Sequence, residues 1–173
     1  MDFQMDEALE VLTGTPAVLH SLLGGKSSVW LDCRKSPEAF SPRDVVGHLM
    51  HAELTDWIPR VKTILESSDS KAFDPFDRFD FQHLLAGKNM DALLTEFKAL
   101  RRQSLDTLAS LKIDADKLAR PGLHPDLGPV TVGNLLSTWV VHDLGHISQI
   151  VKAMAGNYRE AVGPWRAYCT ILG

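Results

Sequence analysis

The feature that most constrains the fold of this chain is helical hydrophobic periodicity, which recurs in four long segments. In each segment apolar residues return every three or four positions, and no stretch alternates cleanly as a half-buried strand would. The segments span about residues 5–23, 42–65, 89–111 and 131–155. Four long helices in a chain of 173 residues are most simply accommodated in an all-α four-helix bundle.

Capping residues predict where these helices begin and end. Gly24 suits the end of the first helix. Ser41 can cap the second helix, because a proline at the first helical position and an acidic residue in the first turn follow it. Pro59 is expected to kink this helix or split it. Asn89 and Thr131 are predicted to cap the third and fourth helices.

The segments between the helices are expected to be irregular. Residues 26–40 and 67–88 have loop-like compositions. Residues 112–130 carry three prolines and two glycines, so they are predicted to connect helices rather than to pack as an element. A short terminal helix is expected over about residues 166–172, and residues 1–173 are expected to form one domain.

Composition narrows the function classes. The chain is 45% apolar and 23% charged, as expected for a globular domain. Its net charge is −4 without a block of like charge, which argues against binding nucleic acid through a basic face. No membrane span or signal peptide is apparent, and the two cysteines are far apart in sequence, which argues against a disulfide framework. A cytoplasmic protein is the expectation.

Two of the seven histidines have the spacing of metal ligands within a predicted helix. His142 and His146 are four residues apart, so they share one helical face and can bind one cation. Histidines at this spacing are more often surface residues or hydrogen-bonded core residues, and the spacing alone leaves these alternatives open.

A helical projection of the fourth helix strengthens the metal hypothesis. His146 falls inside the apolar stripe, His142 falls at its edge beside Gln149, and Asp143 falls near its centre. A buried carboxylate requires a charged partner, a metal or a strong donor, so three polar groups on the inner half of one helix indicate a site. Trp139 precedes His142 by three residues and could form a wall of the pocket.

A third ligand would have to come from another helix. The second helix offers His48, His51, Glu53 and Asp56. A projection of this helix does not turn His48 inward, so periodicity alone does not identify the ligand.

Three motifs that occur in a fixed order point to a family. They are Ser41-Pro42-Arg43-Asp44-Val45-Val46-Gly47-His48-Leu49 followed by Ala52-Glu53 and Trp57, then His142-Asp143-x-x-His146 followed by Gln149-Ile150, and last Gly163-Pro164-Trp165 with Tyr168. Together they resemble the motifs of the DinB-like superfamily over most of the chain. The resemblance implies an up-down-down-up four-helix bundle with a divalent metal held by three histidines.

The resemblance also implies residue roles. By position the ligands would be His48, His142 and His146. His51 is expected to be an exposed helix residue, although a ligand role stays open. Glu53 matches an acidic residue that is frequent in the family. It could accept a hydrogen bond behind the ligands, act as a base, or form a salt bridge within its helix. Asp143 is assigned from the helical projection instead: because it lies on the inner stripe between the two ligands, it is expected to accept a hydrogen bond from His48 or from another inward donor.

The implied function is that of a metal-dependent enzyme acting on a small molecule. Zinc or nickel suits three imidazoles, and relatives include both hydrolases and transferases or isomerases that use a low-molecular-weight thiol. A non-catalytic metal-binding or stress-response protein of the same fold is the alternative.

The first helix carries more apolar surface than one core stripe requires, which suggests a homodimer. Its apolar residues are Leu9, Leu12, Val18, Leu19 and Leu22. In the alternative, residues 67–88 fold back over this helix and bury their four phenylalanines there.

Overall fold

A computed structural model describes residues 2–66 and 72–173. This part of the chain is mainly helical, as predicted, and none of its helices is long and apolar enough to cross a membrane. The helices are α1 (Met5–Leu23), α2 (Ser28–Leu31), α3 (Pro42–Thr55), α4 (Trp57–Glu66), α5 (Gln82–Leu85), α6 (Met90–Ser110), α7 (Ala115–Leu118) and α8 (Val132–Gly156), followed by the 3-10 helices Gly163–Tyr168 and Thr170–Leu172.

Four long elements form the bundle: α1, α3 with its continuation α4, α6 and α8. α1 and α3 each pack against both α6 and α8. The backbone N–H of Gly25, after the end of α1, lies 3.4 Å from Asp91 at the start of α6, so these helices are antiparallel. Arg43 at the start of α3 reaches the carbonyl of Lys88 before α6, so these two are parallel. α8 runs antiparallel to α3, which confirms the up-down-down-up order.

The boundaries of the second bundle helix follow from its sequence. Ser41 caps α3 in a capping box, in which its hydroxyl accepts from the N–H of Asp44 and its own N–H donates to the Asp44 carboxylate. Pro59 lacks an N–H and its ring crowds the carbonyl of Thr55. Regular helix therefore ends at Thr55 and resumes at Trp57, which confirms the predicted split.

Two expectations about the connecting segments are wrong. Residues 112–130 do not merely connect, because Pro121–His124 (β1) and Gly128–Thr131 (β2) form an antiparallel hairpin. Gly128, with φ of 76°, allows the left-handed backbone that ends a three-residue hairpin loop. The terminal helix over residues 166–172 is replaced by the two 3-10 helices, whose short turns suit the glycine and proline at 163–164.

The segment after α4 covers α3 rather than the first helix. Phe81 lies so close to α3 that a Cβ on Gly47 would come within 2.7 Å of its ring. Phe76 packs on the His51 ring, with centroids 5.0 Å apart. The phenylalanines therefore make α3 buried on nearly all sides, whereas Val18 on α1 stays 42% exposed. Residues 67–71, which belong to the segment predicted to be irregular, lie outside the described residues.

Candidate metal centre

The antiparallel pairing of α3 with α8 brings His48, His142 and His146 together. The Nε2 atom of His142 lies 3.1 Å from the Nε2 atoms of both His48 and His146. Ligand nitrogens about 2.0–2.1 Å from a tetrahedral cation would be about 3.3 Å apart. The spacing of the three nitrogen atoms thus fits one shared cation.

Hydrogen bonds set the tautomers of two of these rings. Nδ1 of His48 lies 3.3 Å from the carbonyl oxygen of Arg78, and Nδ1 of His146 lies 2.9 Å from Oε1 of Gln149. Because both oxygens only accept, each Nδ1 carries the proton and each Nε2 presents a lone pair toward His142.

A cation satisfies this donor set better than hydrogen bonds do. A protonated Nε2 on His142 can donate to only one of the two facing lone pairs at a time. Nδ1 of His142 is buried and has no hydrogen-bond partner among the described residues, so the tautomer of this ring is not fixed by a contact there and Nε2 can present its lone pair to a cation. Three converging imidazole nitrogens of this kind are a suitable ligand set for zinc or nickel.

Burial also holds the three rings in the neutral form that binds metals. Desolvation, followed by the charge of His146, lowers the pKa of His48 to about 4. Desolvation, with contributions from His146 and His48, lowers the pKa of His142 to about 3. The pKa of His146 is lowered mainly by desolvation. Near neutral pH a metal ion would therefore displace no proton from these rings.

The three histidines line a cavity of about 530 Å³ between α3, α4, α8 and the hairpin. Its rim includes Leu127, which is 74% exposed. Trp57 forms part of the wall, and its ring meets the His142 ring in a T-shaped contact with centroids 5.1 Å apart. Trp139, which the sequence placed in the wall, instead lies fully buried behind Trp57 and stacks on it at 5.6 Å. Trp57 of α4, rather than Trp139, therefore faces the cavity.

Polar groups occupy the cavity away from the histidine cluster. Asp56, at the break between α3 and α4, pairs with Arg60 at 2.7 Å, and burial raises the pKa of Asp56. His124 of the hairpin also lines the cavity, and its Nδ1 accepts from the N–H groups of Asp126 and Leu127. The hairpin thus makes His124 a half-buried residue of the cavity wall.

His51 does not join the cluster of ligand atoms. Its predicted exposure is wrong, since it is only 6% exposed. Phe76 covers its ring, and the hydroxyl of Thr55 lies 3.5 Å from its Nε2. A helical projection cannot foresee this burial because the covering residue comes from a distant segment of the chain.

A buried charge network lies behind the histidines and includes Glu53 and Asp143. Arg101 is 1% exposed; its Nη1 and Nη2 donate to the two oxygens of Asp143 at 2.6 and 3.0 Å. Its Nε donates to Oε1 of Glu53 at 2.9 Å. Thr15 adds a hydrogen bond to Asp143 at 2.7 Å. Asp143 thus has inward donors other than His48.

Glu53 lies in the same network rather than in the cavity wall. Besides Arg101 it accepts from the indole N–H of Trp139 at 3.3 Å. Burial raises the pKa of Glu53, against the opposing effect of Arg101. Sequence reasoning missed Arg101, although this residue falls within the apolar stripe of α6, four residues after Phe97 and seven before Leu108.

Comparison with known proteins gives a family and a fold. The model of the DinB superfamily matches residues 12–150. The structure of YfiT from Bacillus subtilis superimposes with a TM-score of 0.72 and 21% identity, covering 90% of this chain and 86% of that one. YfiT is described as a probable metal-dependent hydrolase with an unusual four-helix bundle topology. No curated protein matches this chain.

Proposed function

The chain belongs to the DinB superfamily, and we propose that it is a metal-dependent hydrolase whose cation is held by His48, His142 and His146. The observation that carries the proposal is the convergence of three Nε2 atoms in the wall of a cavity large enough for a small molecule. The description of YfiT as a probable metal-dependent hydrolase adds support from a protein of the same fold.

Three protein ligands leave coordination positions open, as catalytic sites do and closed structural sites do not. When bound, zinc or nickel would act as a Lewis acid and generate a nucleophile from water near neutral pH. The chain's own groups prepare for this chemistry: the Arg78 carbonyl and Gln149 orient two of the rings. The rings of Phe76 and Trp57 pack against His48 and His142 and hold these two imidazoles in place.

Two alternatives remain to be separated from hydrolysis by experiment. The same open positions would accept a low-molecular-weight thiol, which would make the protein an S-transferase or isomerase. A metal-binding protein without turnover would need no substrate cavity, and the 530 Å³ cavity at the histidines favours an enzyme.

Metal analysis of protein purified without added metal tests the site. We expect one zinc or nickel per wild-type chain and loss of most of it in single alanine variants of the three histidines. His83→Ala is the matched control, because the His83 side chain is 63% exposed and away from the cavity. Wild-type protein that binds neither metal, or alanine variants that bind as tightly as wild type, would refute the assignment.

Activity then separates the two reaction types. A panel of amide and ester substrates is assayed on the metal-loaded protein with and without an added thiol. Turnover that needs no thiol supports hydrolysis, and turnover only with the thiol supports transfer. Loss of the activity on removing the metal by chelation, and its return on adding the metal back, would tie either reaction to the site.

The composition of the chain leads us to propose a cytoplasmic location as well. We also propose a two-fold dimer through α1 and α6. The groove between these helices has a volume of about 910 Å³ and contains Leu9 and Leu105. Acidic Glu10 on α1 and basic Arg102 on α6 are both exposed, which gives the face complementary charges. Sedimentation at micromolar concentration tests it, since a species with the mass of one chain, 19.1 kDa, would exclude the dimer.

A further inference from the structure

Arg78 has two contacts with the histidine cavity. Its backbone carbonyl lies 3.3 Å from Nδ1 of His48. Its guanidinium stacks over the rings of Phe40 and Phe79, with distances of 5.0 and 5.1 Å to their centroids. Arg78 lines the cavity together with Phe40 and the three histidines. The main chain thus orients a ring of the cluster while two aromatic rings hold the side chain at the cavity.

The charge of Arg78 is not neutralised by the part of the chain that the structure describes. Within those residues no carboxylate lies within ion-pair distance of its guanidinium. The other arginine of the cavity, Arg60, is paired with Asp56 at 2.7 Å. Asp126, on the hairpin loop, is the remaining acid of the lining and is exposed.

Arg78 and the three histidines line the same cavity. The guanidinium stacks on two aromatic rings and has no carboxylate partner among the described residues, so its planar donor fork is available to bind an oxyanion.

We propose that Arg78 is a substrate-binding residue and that the substrate is a small organic molecule carrying an oxyanion, a carboxylate or a phosphoryl group, besides the bond that is cleaved. This inference rests on the proposed metal site, because the same molecule must reach the three histidines. The aromatic lining, which includes Phe73 and Phe76, would receive the apolar body of the substrate while Arg78 fixes its charged end.

Calorimetric titration of the metal-loaded protein with simple anions tests the proposal. Succinate carries a second carboxylate that acetate lacks, and 3-phosphonopropionate replaces one carboxylate by a phosphonate. We expect wild-type protein to bind succinate or 3-phosphonopropionate about tenfold more tightly than acetate, from one charge-assisted contact to Arg78. The probe with the larger preference identifies the oxyanion.

Arg78→Met should abolish this preference while the metal content stays unchanged, because a backbone carbonyl remains at residue 78. Arg78→Lys keeps the charge without the planar fork and should retain part of the preference. Arg166→Met is the matched control, since the Arg166 side chain is 50% exposed and does not line the cavity; it should bind all three anions as wild type does.

The outcomes separate this inference from the proposed function. Unchanged anion preference in a metal-loaded Arg78→Met protein overturns the role of Arg78 and leaves the metal site intact. Wild-type protein that binds no metal overturns the proposed function and this inference with it. If the Arg78→Met protein loses its metal, the anion preference of the Arg78→Lys protein is measured instead. A preference equal to that of wild type would overturn the role of the guanidinium fork.

Discussion

Replacement of Arg101 by methionine should be among the most destabilising single changes in this protein. Arg101 is 1% exposed, and its Nε and Nη2 lie 2.9 and 2.8 Å from Oε1 of Glu53. Two further hydrogen bonds reach Asp143, and another reaches the carbonyl of Leu12 at 2.9 Å. Methionine fills similar apolar space between Phe97 and Trp139, so the substitution removes mainly the charge and its hydrogen bonds.

The size of the destabilisation follows from the two buried carboxylates that remain in the Arg101→Met protein. Glu53 would keep the indole of Trp139 and Asp143 would keep Thr15, but both would be buried without a cation. Breaking a buried ion pair costs about 3–5 kcal/mol. Protonating one carboxyl at pH 7 instead costs about 4 kcal/mol, from an ordinary pKa near 4.3. The free energy of unfolding should therefore fall by about 4 kcal/mol.

Urea unfolding followed by circular dichroism measures the change. With a slope of about 2 kcal/mol per molar urea, the midpoint should fall by about 2 M. At pH 5 the loss in free energy of unfolding should be about 2–3 kcal/mol smaller than at pH 7, because protonating a carboxyl then costs less free energy. Arg166→Met, which removes an exposed contact to Glu160 at 3.7 Å, should change stability by less than about 0.5 kcal/mol. A loss below about 1 kcal/mol for Arg101→Met, or one independent of pH, would refute the reasoning.

Two more predictions test the packing and the ionisation of the site. Gly47→Ala should lower the free energy of unfolding by about 1–3 kcal/mol, since the new Cβ would lie 2.7 Å from Phe81. Gly14→Ala is the control and should be neutral or stabilising, because a Cβ there meets nothing within 4 Å. Equal urea midpoints for the two variants would contradict the packing argument. Metal-free protein should lose stability as the pH falls below about 6.5, because unfolded histidines then bind protons that His48 and His142, with pKa values of about 4 and 3, do not. Each contributes a slope of up to about 1.4 kcal/mol per pH unit, measured by thermal unfolding across pH, and His142→Phe should flatten it.

The elements that local chemistry determines could be predicted from the sequence. α1 spans Met5–Leu23 as predicted, and the capping residues Ser41, Asn89 and Thr131 each precede the helix expected of them. The hairpin escaped prediction because its strands have only four residues each and contain proline and glycine, which weaken any strand pattern.

Some residues of the site could likewise be predicted from local sequence patterns, and others could not. The i,i+4 spacing and the apolar stripe of α8 suffice to single out His142 and His146. His48 does not face inward on a projection of its own helix, because Phe76 and Phe81 come from a separate segment to cover α3. Arg78 lies in that segment, where no periodicity indicates which side chains reach the cavity. Long-range burial of this kind is a property of the tertiary fold.

The buried charges bear on the metal site through the alignment of the helices. Arg101 of α6 binds Glu53 of α3 and Asp143 of α8. Asp143 directly follows His142 in sequence, and Glu53 lies five residues after His48, so one guanidinium fixes the register of the two helices that carry the ligands. Apolar packing tolerates small shifts between helices, whereas buried polar contacts can set register at a cost in stability.

We therefore expect Arg101→Met to weaken metal binding as well as the fold, although Arg101 is not among the three clustered ligands. Metal titration without denaturant, at a temperature where the variant is fully folded, separates the two effects. An affinity at least about tenfold below that of wild type would agree with the loss of an outer-shell contact that orients ligands. An unchanged affinity in a destabilised variant would mean that apolar packing alone keeps α3 and α8 in register.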